Sequence, residues 1–185
     1  MREFDHTGLA LCRLQGELFE RSLESFGGGS AIFVRRFMNS SVAKRMDEGG
    51  FPYESSSLES LLAELDAEYG PSDYGTKKFD AEALYWMGYL YRYWSYVFET
   101  PSASVYKIAG AREMKGLYFP YHSLDPEQAV ERILEAKGCP REGDVVERGV
   151  AALRAIRESG RFEYVVVVLP EIVSEDDPTL DARIG

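Results

Sequence analysis

The sequence predicts a mainly α-helical fold, a multi-helix bundle around one buried aromatic helix, with a single strand near the C-terminus. Residues 80–98 form a run in which apolar and aromatic positions cover almost every face of a helix. Helical spacing of apolar residues recurs on both sides of this run. Residues 162–169 instead have the β-branched composition of a strand, with four consecutive valines. We therefore predict a helical domain at residues 1–137 and a C-terminal appendage at residues 138–185.

The central helix, residues 80–98, has one polar stripe. The residues of this stripe are spaced four, three and four positions apart, so they lie on one side of the helix. They are Gly88, Arg92, Ser95 and Glu99. Gly88 is expected to let another backbone approach closely. Arg92 always carries its charge, so burial requires an acid, either Glu99 or one elsewhere in the chain. The alternative is that Arg92 contacts an anion or a partner peptide.

The aromatic side chains of this helix are predicted to stabilise the fold rather than to serve one activity. Each buries about 150–250 Å², which corresponds to an upper bound of about 4–6 kcal/mol. Replacement of Trp86 or Trp94 by Ala is therefore expected to threaten folding. A membrane span is not predicted, because Arg92 and five tyrosines interrupt the ~20 apolar residues that a span needs. Asp80 is predicted to cap the N-terminus.

The first helix is predicted over residues 5–26 and ends at three consecutive glycines, which act as a hinge or tight connection. Residues 30–38 favour a helix capped by Ser30, although a strand at 32–37 is the alternative. A third helix is predicted at residues 42–48, after Asn39, Ser40 and Ser41. The apolar stripe of the first helix has i, i+3, i+4, i+7 spacing and comprises Leu9, Leu11, Cys12, Leu14, Leu18, Phe19, Leu23 and Phe26.

The helix before the central run is capped by Ser56 or Ser57 and stopped at Gly70. After the central run, short helices are predicted at residues 102–110, capped by Ser102, and at 111–119. A last helix in the domain begins at Asp125, with Pro126 in its first turn. Its predicted apolar face comprises Ala129, Val130, Ile133 and Leu134.

The appendage is predicted to hold an amphipathic helix at residues 145–159 and then the strand at 162–169. A strand needs a partner for its backbone groups. The possible partners are residues 32–37, the same strand of a second copy, or the sheet of another protein. The first of these would be intramolecular, the second would make a homodimer, and the third would bind a partner through Tyr164, Val166 and Val168.

The charge balance disfavours binding to nucleic acid. The net charge is −10, with 31 acidic against 21 basic residues, which suits a basic protein partner or solubility. One basic island stands out, formed by Arg35, Arg36, Lys44 and Arg45. We interpret it as a solvated face or, alternatively, as a contact for an acidic partner or for DNA, although no recognition-helix signature supports the latter.

The residues that commonly carry catalysis or bind metals are sparse. Cys12 and Cys139 lie far apart and match no metal-ligand spacing, and Cys12 is predicted to be a core residue. With no signal peptide, we expect a cytoplasmic protein with reduced thiols. His122 is predicted to orient or cap the following turn rather than to act as a base. No hydrolase or metalloprotease motif is present, so we predict no catalytic residue, no cofactor and no metal.

Three stretches resemble a known family: residues 33–47, 84–94 and 105–133. They are similar to a poorly characterised family of bacterial helical proteins, sometimes labelled antitoxins, whose genes tend to lie beside putative toxins, some of ADP-ribosyltransferase type. The similarity covers residues 9–134, and the appendage lies outside it. The most specific matches are Trp86, Gly88, Tyr91, Arg92, Trp94 and the Tyr121-His122-Ser123-Leu124-Asp125 run.

The leading hypothesis is a non-catalytic protein-binding module, the antitoxin-like partner of a bacterial toxin, which the resemblance implies. Its expected contacts are Arg92, His122 and the strand from Tyr164 to Leu169. The alternative is an enzyme or small-ligand protein with an aromatic pocket around one cation. That pocket would be lined by Tyr85, Arg92, Tyr96 and His122. A third possibility is a DNA-binding autoregulator that uses the basic island.

Overall fold

The computed structural model describes residues 1–138, and these residues confirm the prediction of a mainly α-helical fold around a buried aromatic cluster. The predicted helix at 145–159 and the strand at 162–169 lie outside the described residues. The described α-helices are α1 (His6–Ser25), α2 (Ser30–Met38), α3 (Ser41–Asp47), α4 (Leu58–Tyr69), α5 (Ala81–Val97), α6 (Ser102–Ile108), α7 (Ala111–Tyr121) and α8 (Pro126–Ala136), with a short 3₁₀ helix at Tyr53–Ser55.

Helix α5 is the centre of this bundle and packs along α1, with α6, α7 and α8 against its other sides. Every residue from Leu90 to Val97 is buried, and the Trp94 side chain is 1% exposed. Burial is less complete at one edge of α5, where Tyr85, Trp86 and Tyr89 are only half-buried. The expectation that a tryptophan truncation threatens folding therefore applies to Trp94 more strongly than to Trp86.

The predicted close approach at Gly88 is confirmed. A Cβ atom placed there would lie 2.5 Å from the backbone oxygen of Gln15 and 2.9 Å from Cγ of Phe19. Gly16 brings α1 close in the same way, because its Cβ would lie 3.1 Å from the Tyr85 backbone oxygen. Helices α1 and α5 thus approach through glycines that face one another's backbones.

Most predicted helix starts are correct because they depend on local capping. Asp5 accepts the Gly8 N–H, Ser40 accepts the Ala43 N–H, and Ser57 caps α4. Asp125 accepts the Glu127 N–H at 2.9 Å, as predicted for the start of α8. These bonds span two or three residues, so the sequence alone contains the information that sets them.

Helix α2 begins differently from the prediction. Residues 32–37 are helical, which excludes the alternative of a strand there. Gly29 occupies the N-cap position, and Ser30 is the first helical residue. The Ser30 hydroxyl accepts the Phe79 N–H at 3.0 Å, so it ties α2 to the segment before α5 instead of capping its own helix.

Two further helix ends depend on contacts or chain geometry that the sequence does not reveal. Asp80 stands at the N-cap of α5 but pairs with Lys115 of α7 and makes no side-chain capping bond. Helix α7 continues through Pro120 to Tyr121, past its predicted end at residue 119. A proline so near the end of a helix removes only one terminal hydrogen bond. Within the described part of the chain, no helix has the length and apolarity to cross a membrane.

Candidate functional site

A polar cluster lies inside the bundle, centred on Arg92 of α5. The Arg92 side chain is 0% exposed. Its Nε donates to Oε1 of Gln15 at 2.8 Å, its Nη1 to Oδ1 of Asp47 at 2.7 Å, and its Nη2 to Oγ of Ser102 at 3.1 Å. The Arg92 cluster, comprising Arg92, Asp47, Gln15 and Ser102, therefore joins α1, α3, α5 and α6.

Asp47 provides the negative charge in the Arg92 cluster and also caps a helix. It ends α3, and its side chain is 16% exposed. Its Oδ2 accepts the backbone N–H of Ser102 at 2.8 Å, and its Oδ1 accepts the Ser102 hydroxyl at 2.7 Å. The N-terminus of α6 is thus capped by a carboxylate from another helix, and Ser102 is not the cap that the sequence predicts.

These contacts give Arg92 a structural role. Burial lowers the pKa of the Arg92 guanidinium, and the Asp47 carboxylate opposes that shift. Since arginine keeps its charge in proteins, the cluster is a buried ion pair in which each guanidinium nitrogen of Arg92 donates a hydrogen bond. Glu99, the acid considered from the sequence, lies elsewhere, with its Oε2 3.5 Å from the Met1 amino group. In the described structure the Arg92 side chain has no exposed surface with which to contact a partner.

The predicted aromatic pocket is not assembled. Tyr85, Arg92 and Tyr96 point towards α1, which packs against each of them. Gly16 lies against the Tyr85 ring and Gly8 against the Tyr96 ring. Helix α1 thus packs against three of the four predicted pocket residues.

The fourth predicted pocket residue, His122, lies at the C-terminal end of α7. It is the C-cap of α7 and is exposed, and its Nδ1 is 3.1 Å from the Tyr118 backbone oxygen. The C-capping position agrees with an orienting role. Tyr96 is also engaged, since its hydroxyl donates to Oδ1 of Asp5 at 2.7 Å while the Arg2 guanidinium stacks over its ring. Burial and the bond to Asp5 raise the Tyr96 pKa to about 12.

The basic island is largely used within the fold. Arg36 Nη1 donates to the Gly70 backbone oxygen at 2.7 Å, and Arg45 pairs with Glu64 of α4. Lys44 lies 3.9 Å from a Glu48 carboxylate oxygen. Arg35 is exposed. Arg36 and Arg45 therefore hold α2 and α3 against α4, which leaves few of these charges for a phosphate backbone.

A cationic groove that no sequence motif indicated lies between the N-terminus of α2 and α7. It has a volume of about 620 Å³. A signal was present, since Arg112 and Lys115 lie three apart on one helix and Lys77 stands beside a glycine-containing turn. No local pattern shows that these segments meet. The cationic groove is lined by Gly29, Ala31, Ile32, Tyr74, Gly75, Thr76, Lys77, Phe79, Arg112 and Lys115.

The outward side of α7 is a second surface that the sequence did not single out. Its exposed residues are Arg112, Glu113, Gly116, Phe119 and Pro120, which we call the α7 face. The Phe119 side chain is 84% exposed, the highest value among the large hydrophobic residues of the described chain. The His122 ring lies beside it, with ring centroids 6.1 Å apart. A predicted contact residue, His122, is thus continuous with an exposed aromatic side chain.

Cys12 is buried in the core, as predicted, and burial raises its pKa to about 12. Such a thiol is protonated at neutral pH and is a poor nucleophile. Among residues 1–138, no group of three or more His, Cys, Asp or Glu side chains is arranged to hold a metal ion.

Comparison with protein-family models, curated proteins and solved structures finds no significant match for this chain.

Proposed function

We propose that this chain is a protein-binding module, the antitoxin-like partner of a bacterial toxin, and that it acts by forming a complex in the cytoplasm. The resemblance of residues 33–47, 84–94 and 105–133 to antitoxin-labelled helical proteins supports this proposal. The acid excess, a net charge of −10, suits a basic partner surface.

The observation that carries the proposal is the α7 face. A phenylalanine ring that is 84% exposed costs solubility and is common where proteins bind one another. Burial of such a ring removes about 150–250 Å² from water. Arg112 lies two turns away on the same side of α7, and arginines and large aromatic side chains are enriched at interfaces.

A non-catalytic role is supported by the contacts that the polar side chains make within the fold. The Arg92 cluster is satisfied internally, and the Cys12 thiol is buried with a raised pKa. His122 is held against backbone oxygens at the end of α7. These groups therefore have structural roles within the fold, whereas the Phe119 ring is exposed to solvent.

The C-terminal strand is a second proposed contact. The predicted strand can add to the sheet of a partner or pair with the same strand of a second copy. Its alternate positions on one face are Tyr164, Val166 and Val168. This contact lies outside the described residues, so it stands on the sequence pattern alone.

The test is co-expression with the product of the adjacent gene, followed by affinity capture and a growth assay. We expect a stable complex and relief of toxicity. Phe119→Ser should weaken the complex by about tenfold or more, as at an interface hot spot. Tyr69→Ser, at a 37% exposed ring on α4, is the matched control and should leave affinity unchanged. Absence of both capture and growth rescue by the wild type would overturn the proposal.

A further inference from the structure

We propose that the cationic groove binds a small organic anion, a phosphate or carboxylate group carried on an apolar or aromatic body. The inference is independent of the proposed function. It depends on three separate features of the groove, which are its positive charge, the N-terminus of α2 and its apolar floor.

The charge around the groove is positive in a chain that is otherwise acidic. Lys77 and Arg112 are exposed and make no ion pair with another described residue. Lys115 pairs with Asp80, so its charge is balanced locally. The groove is therefore lined by two cations without an ion-pair partner among the described residues, one from the 74–77 segment and one from α7, which suits an anionic group.

The N-terminus of α2 opens into the same groove. Its first two amides are already satisfied, because Gly29 N–H donates to the Tyr74 oxygen and Ser30 N–H to the Lys77 oxygen, both at 3.1 Å. The next amide belongs to Ala31, which lines the groove, and it has no acceptor among the described residues. The positive end of the helix dipole adds to the charge of the two cations.

The wall formed by residues 74–77 is fixed before any ligand binds. Gly75 has φ = +76°, a conformation that favours glycine. A Cβ on Gly29 would lie 3.2 Å from backbone atoms of Gly75 and Lys77. Glycines at both positions therefore let the turn pack onto the start of α2, and a wall held in this way reduces the ordering cost of binding.

The floor of the groove determines the class of anion. Ile32 and Phe79 provide apolar surface, and the 73% exposed Tyr74 ring stands at the edge. A volume of about 620 Å³ is in the range of small-molecule sites. A bare inorganic ion would leave this apolar surface wet, whereas an anion with an aromatic body would cover it and stack near Tyr74.

The test is an NMR titration of the full 185-residue chain with phenyl phosphate, inorganic phosphate and phenol as separate probes. We expect saturable shifts of the Ala31, Gly75 and Thr76 amides, with a Kd for phenyl phosphate of about 1 mM. Inorganic phosphate and phenol should each bind about tenfold more weakly, because inorganic phosphate lacks the aromatic body and phenol lacks the phosphate group.

Charge-removing variants distinguish binding in the groove from non-specific attraction of anions to the protein. Lys77→Gln and Arg112→Gln should each weaken phenyl phosphate binding by about fivefold. Lys107→Gln and Arg132→Gln remove the same charge from exposed positions outside the groove and should change the Kd by less than about twofold. Equal losses in all four variants, equal affinity for phosphate and phenyl phosphate, or shifts outside the groove would each overturn the inference.

Discussion

Arg92 shows how the core of this protein tolerates a permanent charge. Its guanidinium is fully buried, and the carboxylate of Asp47, 45 positions earlier in the chain, lies 2.7 Å from it. The sequence indicated that a buried Arg92 needs an acid, and that inference is confirmed. It could not identify the acid, because Glu99 is near in sequence while Asp47 is brought close only by the packing of α3 against α6.

Asp47→Asn keeps the size of the side chain but removes its charge. The guanidinium would then be buried without a counter-charge, so we expect a loss of about 3 kcal/mol in the free energy of unfolding. Urea denaturation of the variant and the wild type measures this difference.

The control for this substitution is Glu64→Gln, which breaks the ion pair with Arg45 on the surface. The side chains of that pair are 45% and 46% exposed, and such pairs contribute at most about 1 kcal/mol. Equal losses in the two variants would mean that the Arg92 cluster is not a buried ion pair in solution.

At the scale of elements, the contact between α1 and α5 depends on backbone proximity. Gly88 lies against the Gln15 carbonyl, whereas a Cβ atom added to Gly116 of α7 would meet no neighbouring atom within 4 Å. Both are helical, so they differ in packing rather than in helix propensity.

Alanine at these two glycines should therefore have opposite effects. Gly88→Ala would place a methyl group 2.5 Å from a backbone oxygen, and we expect destabilisation by about 3 kcal/mol. Gly116→Ala should stabilise the protein by about 0.5–1 kcal/mol through helix propensity. Thermal unfolding of both variants tests this, and a stabilising Gly88→Ala would contradict the close packing of α1 and α5.

The end of α5 offers a test of local backbone strain. Glu99 follows the C-cap and has φ = +51°, while the next residue, Thr100, donates its N–H to the Ser95 oxygen at 3.2 Å. This is the arrangement in which glycine is preferred. Glu99→Gly should raise the free energy of unfolding by about 0.5–1 kcal/mol.

Gly70 provides the matched position for that substitution. It ends α4 with φ = +73°, and a Cβ there would meet no atom within 4 Å. Gly70→Ala should cost about 1–3 kcal/mol from backbone strain, because φ = +73° with ψ = 166° is a conformation that is essentially restricted to glycine. If Glu99→Gly destabilised the protein, the interaction of Glu99 with the Met1 amino group would outweigh the strain.

At the scale of the whole molecule, the sequence predicts the helices well and their contacts poorly. Helix α1 matches its predicted range to within a residue, with Asp5 as N-cap, because apolar spacing and capping are local signals. Ser30 and Ser102 show the limit, since each was expected to cap its own helix and instead bonds a residue distant in the chain. The cationic groove and the α7 face were not predicted for the same reason, because both depend on how distant parts of the chain pack together.

Two surfaces among residues 1–138 are proposed to make interactions, while the polar interior holds the bundle together. The α7 face presents Phe119 beside His122, and the cationic groove presents Lys77 and Arg112. Arg112 belongs to both, so an anion in the groove and a partner on α7 are predicted to influence one another's binding.

The most direct test of the account is hydrogen–deuterium exchange of the chain alone and with the product of the adjacent gene. We predict that binding slows exchange along residues 111–122, while the amides of residues 90–97 in α5 exchange slowly in both states because these residues are buried. Protection confined to residues 41–47 and 102–108, around the Arg92 cluster, would contradict the claim that the surface of α7 binds the partner.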